Sequence, residues 1–133
     1  MKLHLHSILK PILIVVLIAQ LPGCSKDPIE SLVGTWNFDG VKFTSVLLGT
    51  IKLEGDGTFT FNADGTGYVD YQIIDNGSVQ SVEGDILWTA TKSQVTITES
   101  NKLVVYQRAV NKSKKQVLTT IEGASTAELT LRR

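Results

Sequence analysis

Beyond Pro28 the sequence contains no proline, cysteine, histidine or methionine. Proline lacks a backbone donor and is kept out of central strands, so its absence from Ile29 to Arg133 leaves that stretch open to continuous strand pairing. The single cysteine, Cys24, excludes a disulfide within the chain. Both histidines, His4 and His6, stand near the start. From Ser25 onward there is therefore no thiol nucleophile, no imidazole base and no ordinary zinc ligand set. Neither a G-x-S-x-G elbow nor a G-x-x-x-x-G-K-[ST] loop occurs. A carboxylate pair is the one hydrolytic device still open. The expectation is a protein that is not an enzyme and uses no cofactor and no metal. A surplus of one charge is missing too: 13 Lys and Arg stand against 13 Asp and Glu. No dense basic footprint for nucleic acid follows from that balance.

Long hydrophobic runs are equally scarce. The apolar run from Pro11 to Leu21 is shorter than the roughly 20 residues a spanning helix needs. Lys2, His4, His6 and Lys10 precede or flank it, and Leu21-Pro22-Gly23-Cys24 closes it. A basic start, a short apolar stretch and a small residue before the break make a bacterial secretory signal. With Cys24 in that place it resembles the lipoprotein signal, whose cysteine takes a lipid and becomes the mature N-terminus. The resemblance implies a signal peptide over 1–23, lipidation at Cys24, a lipidated tether over 24–30 and a folded domain over 31–133. The membrane is then a partner through the anchor. Cleavage removes Lys2 and Lys10, leaving 11 basic residues against 13 acidic ones. Ser25 follows the cysteine where an Asp would mark inner-membrane retention in Gram-negative sorting. The outer membrane is the implied destination, on its periplasmic face or at the cell surface.

Turn signals then recur: Asp56-Gly57, Asp64-Gly65, Asn76-Gly77, Gly84-Asp85, Ser100-Asn101, Asn111-Lys112-Ser113 and Gly123-Ala124-Ser125. Spacings of about 8 to 12 residues suit an antiparallel meander. Between the turns the period is two, as half-buried strands require. Trp36 and Phe38 alternate with Asn37, Phe59 and Phe61 flank Thr60, and Val69, Tyr71 and Ile73 alternate with Asp70 and Gln72. Ile86, Trp88 and Ala90 follow, then Val95 and Ile97, Val117, Thr119 and Ile121, and finally Ala127, Leu129 and Leu131. Leu103 to Val110 is apolar on both faces and leaves its register open. The reading is an all-β domain of eight or nine short strands, either an up-and-down barrel or a two-sheet sandwich.

Leu32-Val33-Gly34-Thr35-Trp36 matches a G-x-W opening, and Phe59-Thr60-Phe61-Asn62-Ala63-Asp64-Gly65-Thr66-Gly67 matches F-x-F-x-x-D-G-x-G. With Trp88 in a middle strand, residues 31–132 resemble the small lipocalin-like domains of bacterial lipoproteins. The resemblance implies a small antiparallel up-and-down barrel, without the helix that follows the barrel in full-length lipocalins. It also implies a cavity smaller than theirs.

Trp36, Phe38, Phe59, Phe61, Tyr71 and Trp88 are the candidate ligand-binding residues, against the plainer possibility that they fill the barrel. Tyr71 and Trp88 stand out because their polar atoms need partners if buried. Asp56, Asp64, Asp70 and Asp75 do not complete a calcium loop, since Tyr71 falls where a bidentate Glu belongs; Asp-Gly is read as turn chemistry. Lys102, Arg108, Lys112, Lys114 and Lys115 form the one basic concentration, expected as a solvated hairpin tip, with contact to anionic lipid headgroups as the alternative. In lipocalins a basic residue near the chain end lies across the first-strand tryptophan, and Arg132 is the expected counterpart here. Two functions are carried forward. One is a lipid-anchored binding module for a small hydrophobic or amphipathic ligand. The other is an envelope accessory protein with a solid barrel that binds a protein or glycan partner through its outer face or loops. An unfilled interior favours the first, and a fully packed one with an exposed aromatic patch the second.

Overall fold

The computed structural model describes residues 27–133; the expected signal peptide, Cys24 and the first residues of the tether lie outside the described residues. Eight strands follow in order: β1 (Gly34–Ser45), β2 (Gly49–Phe61), β3 (Thr66–Asp75), β4 (Ser78–Ala90), β5 (Gln94–Glu99), β6 (Lys102–Lys112), β7 (Lys115–Glu122) and β8 (Ser125–Arg132). Each pairs antiparallel with its neighbour in sequence, and β8 returns to β1 to close a barrel. Phe38 faces Leu131 and Phe43 faces Ala127 across that seam. Closure leaves no strand edge open to another chain.

Local chemistry explains the tight turns. Asn76 and Gly77 between β3 and β4 have φ of 48° and 81°, and Ser100 and Asn101 between β5 and β6 have 47° and 64°. Positive φ at both central residues is what a two-residue type I′ hairpin demands. Asp64 belongs to the β2–β3 turn, where one carboxylate oxygen accepts from the Thr66 hydroxyl at 2.6 Å and from its amide at 3.0 Å. Those bonds hold the Asp64 carboxyl below its ordinary pKa.

Two expected turns are instead strand interior. Asp56-Gly57 lies within β2 and Gly84-Asp85 within β4, so the barrel has eight strands with two of them long. At Gly57, φ is 120° and a Cβ would stand 2.2 Å from the Asp70 carbonyl oxygen. Glycine here lets β2 coil tightly against β3 without ending the strand.

The alternation in β7 also runs opposite to expectation. Gln116 and Leu118 face the core side, whereas Ile121, of the opposite parity, is 78% exposed. A register shift between Arg108 and Val110 accompanies this change of face. In β6 the ambiguous run resolves with Val104, Tyr106 and Arg108 inward and Leu103 and Val105 outward.

The two ends of the barrel differ. At one, residues 27–33 fold into a tight turn that crosses the opening beside the β2–β3, β4–β5 and β6–β7 turns. This end is plugged. Trp36 is fully buried and its indole donates to the Leu32 carbonyl at 2.8 Å. Arg108, only 8% exposed, donates to the carbonyls of Pro28 and Thr91, to the Ser31 hydroxyl, and to the side-chain oxygens of Asn111 and Gln116. It is therefore a buried staple and no part of a solvated basic tip. Lys102 also leaves that group, since it begins β6 at the opposite end.

The chain terminus completes the plug, but through a different arginine than expected. Arg133 lies over the Trp36 ring at 4.0 Å and donates to the Val33 carbonyl. Arg132 points outward into an ion pair with Asp39 at 2.7 Å. Alternation explains the exchange: the parity that turns Leu129 and Leu131 inward carries Arg133 to the same side.

Candidate functional site: the open mouth of the barrel

The opposite end is framed by the β1–β2, β3–β4, β5–β6 and β7–β8 hairpins. Nothing comparable to the 27–33 turn crosses it among the described residues. There the interior opens into a cavity of about 460 Å³. Glu99, Lys102 and Glu122 line it toward the rim, Ile97 and Val104 lie one step deeper, and Tyr106, level with Val95, lies deeper still, with Tyr71 contributed by β3.

Strand periodicity places these groups. Ile97 and Glu99 are two residues apart on β5, so the parity that buries Ile97 also turns Glu99 toward the interior. Val104 pairs with Ile97, and Lys102 with Glu99, across the β5–β6 hairpin. Glu122 ends β7 on the parity of Gln116 and Leu118. The floor of the site is a chain of rings. Trp88 meets Phe61 edge-on at 5.2 Å, Phe61 lies 6.3 Å from Phe59, and Phe59 stacks on Tyr71 at 5.0 Å. Phe38 packs against Tyr71 at 4.9 Å. Aromatic packing of this kind fixes the Tyr71 ring at the boundary between filled and open interior.

Electrostatics at the mouth favour uncharged phenols. Burial, then the charge of Glu99, then Tyr106 push the Tyr71 hydroxyl up to about 12. Burial followed by Glu99 and Glu122 raises Tyr106. The cavity thus offers two neutral hydroxyls, two carboxylates, one ammonium and the apolar side chains of Ile97 and Val104. It is suited to hold an amphipathic molecule by its body and to orient a polar head.

The six aromatic residues singled out in the sequence divide by depth. Trp36, Phe38, Phe59, Phe61 and Trp88 are buried, from fully to 6% exposed, and pack on one another or on the plug. Trp88 satisfies its indole on the carbonyls of Asn62 and Thr66 at 3.1 and 2.9 Å. Tyr71 is the member of the set that reaches the cavity. Its companions Glu99, Tyr106 and Glu122 were not among the candidates. The signal that could have found them is an acidic or phenolic residue on the inward parity of an otherwise apolar strand.

A second depression, about 440 Å³, lies at the outer wall of β3, β4 and β5 beside Tyr68 and Leu87. At the mouth, the β1–β2 tip projects Val46, Leu47 and Leu48 into solvent, 92%, 88% and 78% exposed. Sequence patterning gave no warning of this turn, because its residues are those of a buried strand.

Comparison with known proteins places this geometry. A family model for the lipocalin-like domain matches residues 32–124, which span β1 to β7. Among solved structures, the chain is similar to a lipocalin-like protein from Bacteroides uniformis ATCC 8492, at 8% identity and a TM-score of 0.48, covering 77% of this chain and 98% of that one. It is also similar to a redesigned beta barrel, at 23% identity and 0.48, covering 80% and 95%. A de novo designed fluorescence-activating beta barrel, at 14% identity and 0.48, covers 82% of this chain with 99% of its own. No curated protein matches the chain.

Proposed function

This chain belongs to the lipocalin-like domain family, and from that premise we propose that it is a lipid-anchored binding module of the bacterial envelope, non-enzymatic, that takes a small amphipathic molecule into its mouth. The observation that carries this reading is the asymmetry of the barrel. One half is filled by rings and sealed by residues 27–33, while the other holds a cavity of about 460 Å³ in which Tyr71, Tyr106, Ile97 and Val104 give contact area among Glu99, Ser100, Lys102 and Glu122. A concave opening on which several polar groups converge is a place for a small molecule to bind. The anchor is read from Leu21-Pro22-Gly23-Cys24, and Ser25 directs the outer-membrane assignment.

The test is native mass spectrometry of the chain purified from its own host. A small molecule retained by the folded protein and released on unfolding is expected. Val104→Trp, which fills the cavity, should abolish retention without unfolding the barrel. Retention unchanged in that variant would move the site elsewhere.

A second reading keeps one specific support. The exposed Val46-Leu47-Leu48 tip is the kind of apolar projection that a protein partner covers. A photo-cross-linking residue at position 47 would trap such a partner in intact cells, and one at position 104 would not.

A further inference from the structure

The mouth carries more charge than an apolar guest requires. Glu99 and Glu122 both line it, against Lys102 as the one cation of the lining. Among the described residues the ion pairs are Lys42 with Glu128 and Arg132 with Asp39, so neither mouth carboxylate is neutralised by a close partner. Tyr71 and Tyr106 line the same cavity, and the faces of their rings are the negative ends of their quadrupoles. Ile97 and Val104 supply contact area for an apolar body.

We propose that the mouth selects small organic cations: molecules with an aromatic or aliphatic body seated on Tyr71, Tyr106, Ile97 and Val104, and a protonated amine directed to Glu99 and Glu122. The proposal rests on the reading of the mouth as the binding site and specifies its ligand class. The two phenols register the local field. Burial raises both tyrosines first, the charge of Glu99 raises each further, and Glu122 adds to the rise at Tyr106. Burial penalises any charge there, but the carboxylate contribution has a sign, and the negative potential that adds to the cost of a phenolate favours an ammonium. Lys102 opposes this, but two carboxylates against one ammonium leave the lining net negative. In a half-desolvated cavity that excess acts more strongly than in open water. Because the mouth is open to solvent, salt should weaken it.

Three probes of matched shape separate the terms: 2-phenylethylammonium, 2-phenylethanol and phenylacetate. Each is titrated calorimetrically into the full chain held in zwitterionic lipid nanodiscs. The amine is expected to bind about tenfold tighter than the alcohol, and phenylacetate weakest, as one net charge at a partly screened site predicts. The double variant Glu99→Gln, Glu122→Gln should bring the amine down to the level of the alcohol. Lys102→Gln should widen the gap. On the unaltered protein, raising salt from about 0.02 M to about 0.5 M should narrow the preference, which tests the charge term with no substitution at all. Equal binding of all three probes overturns the cation preference and leaves the mouth as a binding site. Binding of none overturns it as well, and the retained-mass experiment then decides separately whether the mouth holds anything.

Discussion

Arg108 is held by neutral oxygens alone. Its two terminal nitrogens donate to five acceptors at 2.7–3.0 Å, joining Pro28 and Ser31 of the plug to β6, β7 and the β4–β5 turn, while its Nε finds no partner. Burial lowers its pKa, yet a guanidinium keeps its proton at any physiological pH. Arg108→Met removes the donors and strands the acceptors, so a loss of about 2–4 kcal/mol is expected. Urea unfolding measures it, and faster amide exchange at Ser31, Leu32 and Val33 would show the plug released. Lysine at 108 cannot serve the same fork and should rescue little. Tyr71 gives a residue-level prediction in pH. Its folded-state pKa, about 12, exceeds the ordinary value of 10.0. Between those values the unfolded chain loses a proton that the folded chain keeps. Its contribution is therefore whole below about pH 10 and lost as pH rises toward 12. Tyr106 is raised in the same direction. Denaturation midpoints across that window should fall less steeply in Tyr71→Phe than in the unaltered protein; identical slopes would mean the phenol titrates normally.

Glycine acts on whole strands. Gly57 (φ 120°) would bring a Cβ against the backbone of Asp70 and Tyr71 at 2.2 and 2.5 Å, whereas Gly77 (φ 81°), in the β3–β4 turn, has open space around it. Gly77→Ala should cost about 1–2 kcal/mol from backbone conformation alone. Gly57→Ala must also separate β2 from β3 and should cost clearly more; thermal unfolding of the pair decides. The same glycine explains why elements were only partly legible. Alternation identified β1, β3, β5 and β8 and their inward sides, and the G-x-W and F-x-F-x-x-D-G-x-G residues pointed to the barrel. Asp56-Gly57 and Gly84-Asp85 read as turns because glycine marks both a turn and a sharply coiled strand, and only the partner strand tells them apart. Val46-Leu47-Leu48 carries no turn residue before Gly49, and composition does not report that a hairpin tip is left uncovered. In β7, Val117 and Leu118 are both buried, so the apolar pattern did not choose a face. The mouth was legible only at Tyr71, since Glu99, Tyr106 and Glu122 are brought together by barrel closure across strands far apart in sequence.

At the scale of the whole molecule, the plugged and open ends differ in charge as well as packing. Lys92, Lys112, Lys114, Lys115 and Arg133 lie on or beside the turns at the plugged end and outnumber Asp27, Glu30 and Asp64 there, while Asp75, Glu99 and Glu122 stand at the mouth against Lys102. Residues 27–33 begin the described chain at the plugged end. Only Ser25 and Lys26 separate Cys24 from Asp27, and so short a connection spans about 11 Å even when extended. A lipid on Cys24 would thus set the plugged end against the bilayer. Its basic turns would meet anionic headgroups there, each charge contributing up to about 1 kcal/mol near the surface. The mouth, the Val46-Leu47-Leu48 tip and the acidic rim would then face away from the anchoring membrane, open to ligand or partner arriving from the aqueous side. The prediction is read with a small fluorophore attached at Ser113→Cys or Asn76→Cys in the lipidated chain, reconstituted into vesicles whose lipids carry a quencher at the headgroup. Strong quenching at position 113 and little at position 76 is expected. The reverse pattern would mean that the mouth rests on the membrane, and equal, weak quenching at both would mean that the barrel stands off on a longer tether than Cys24 allows.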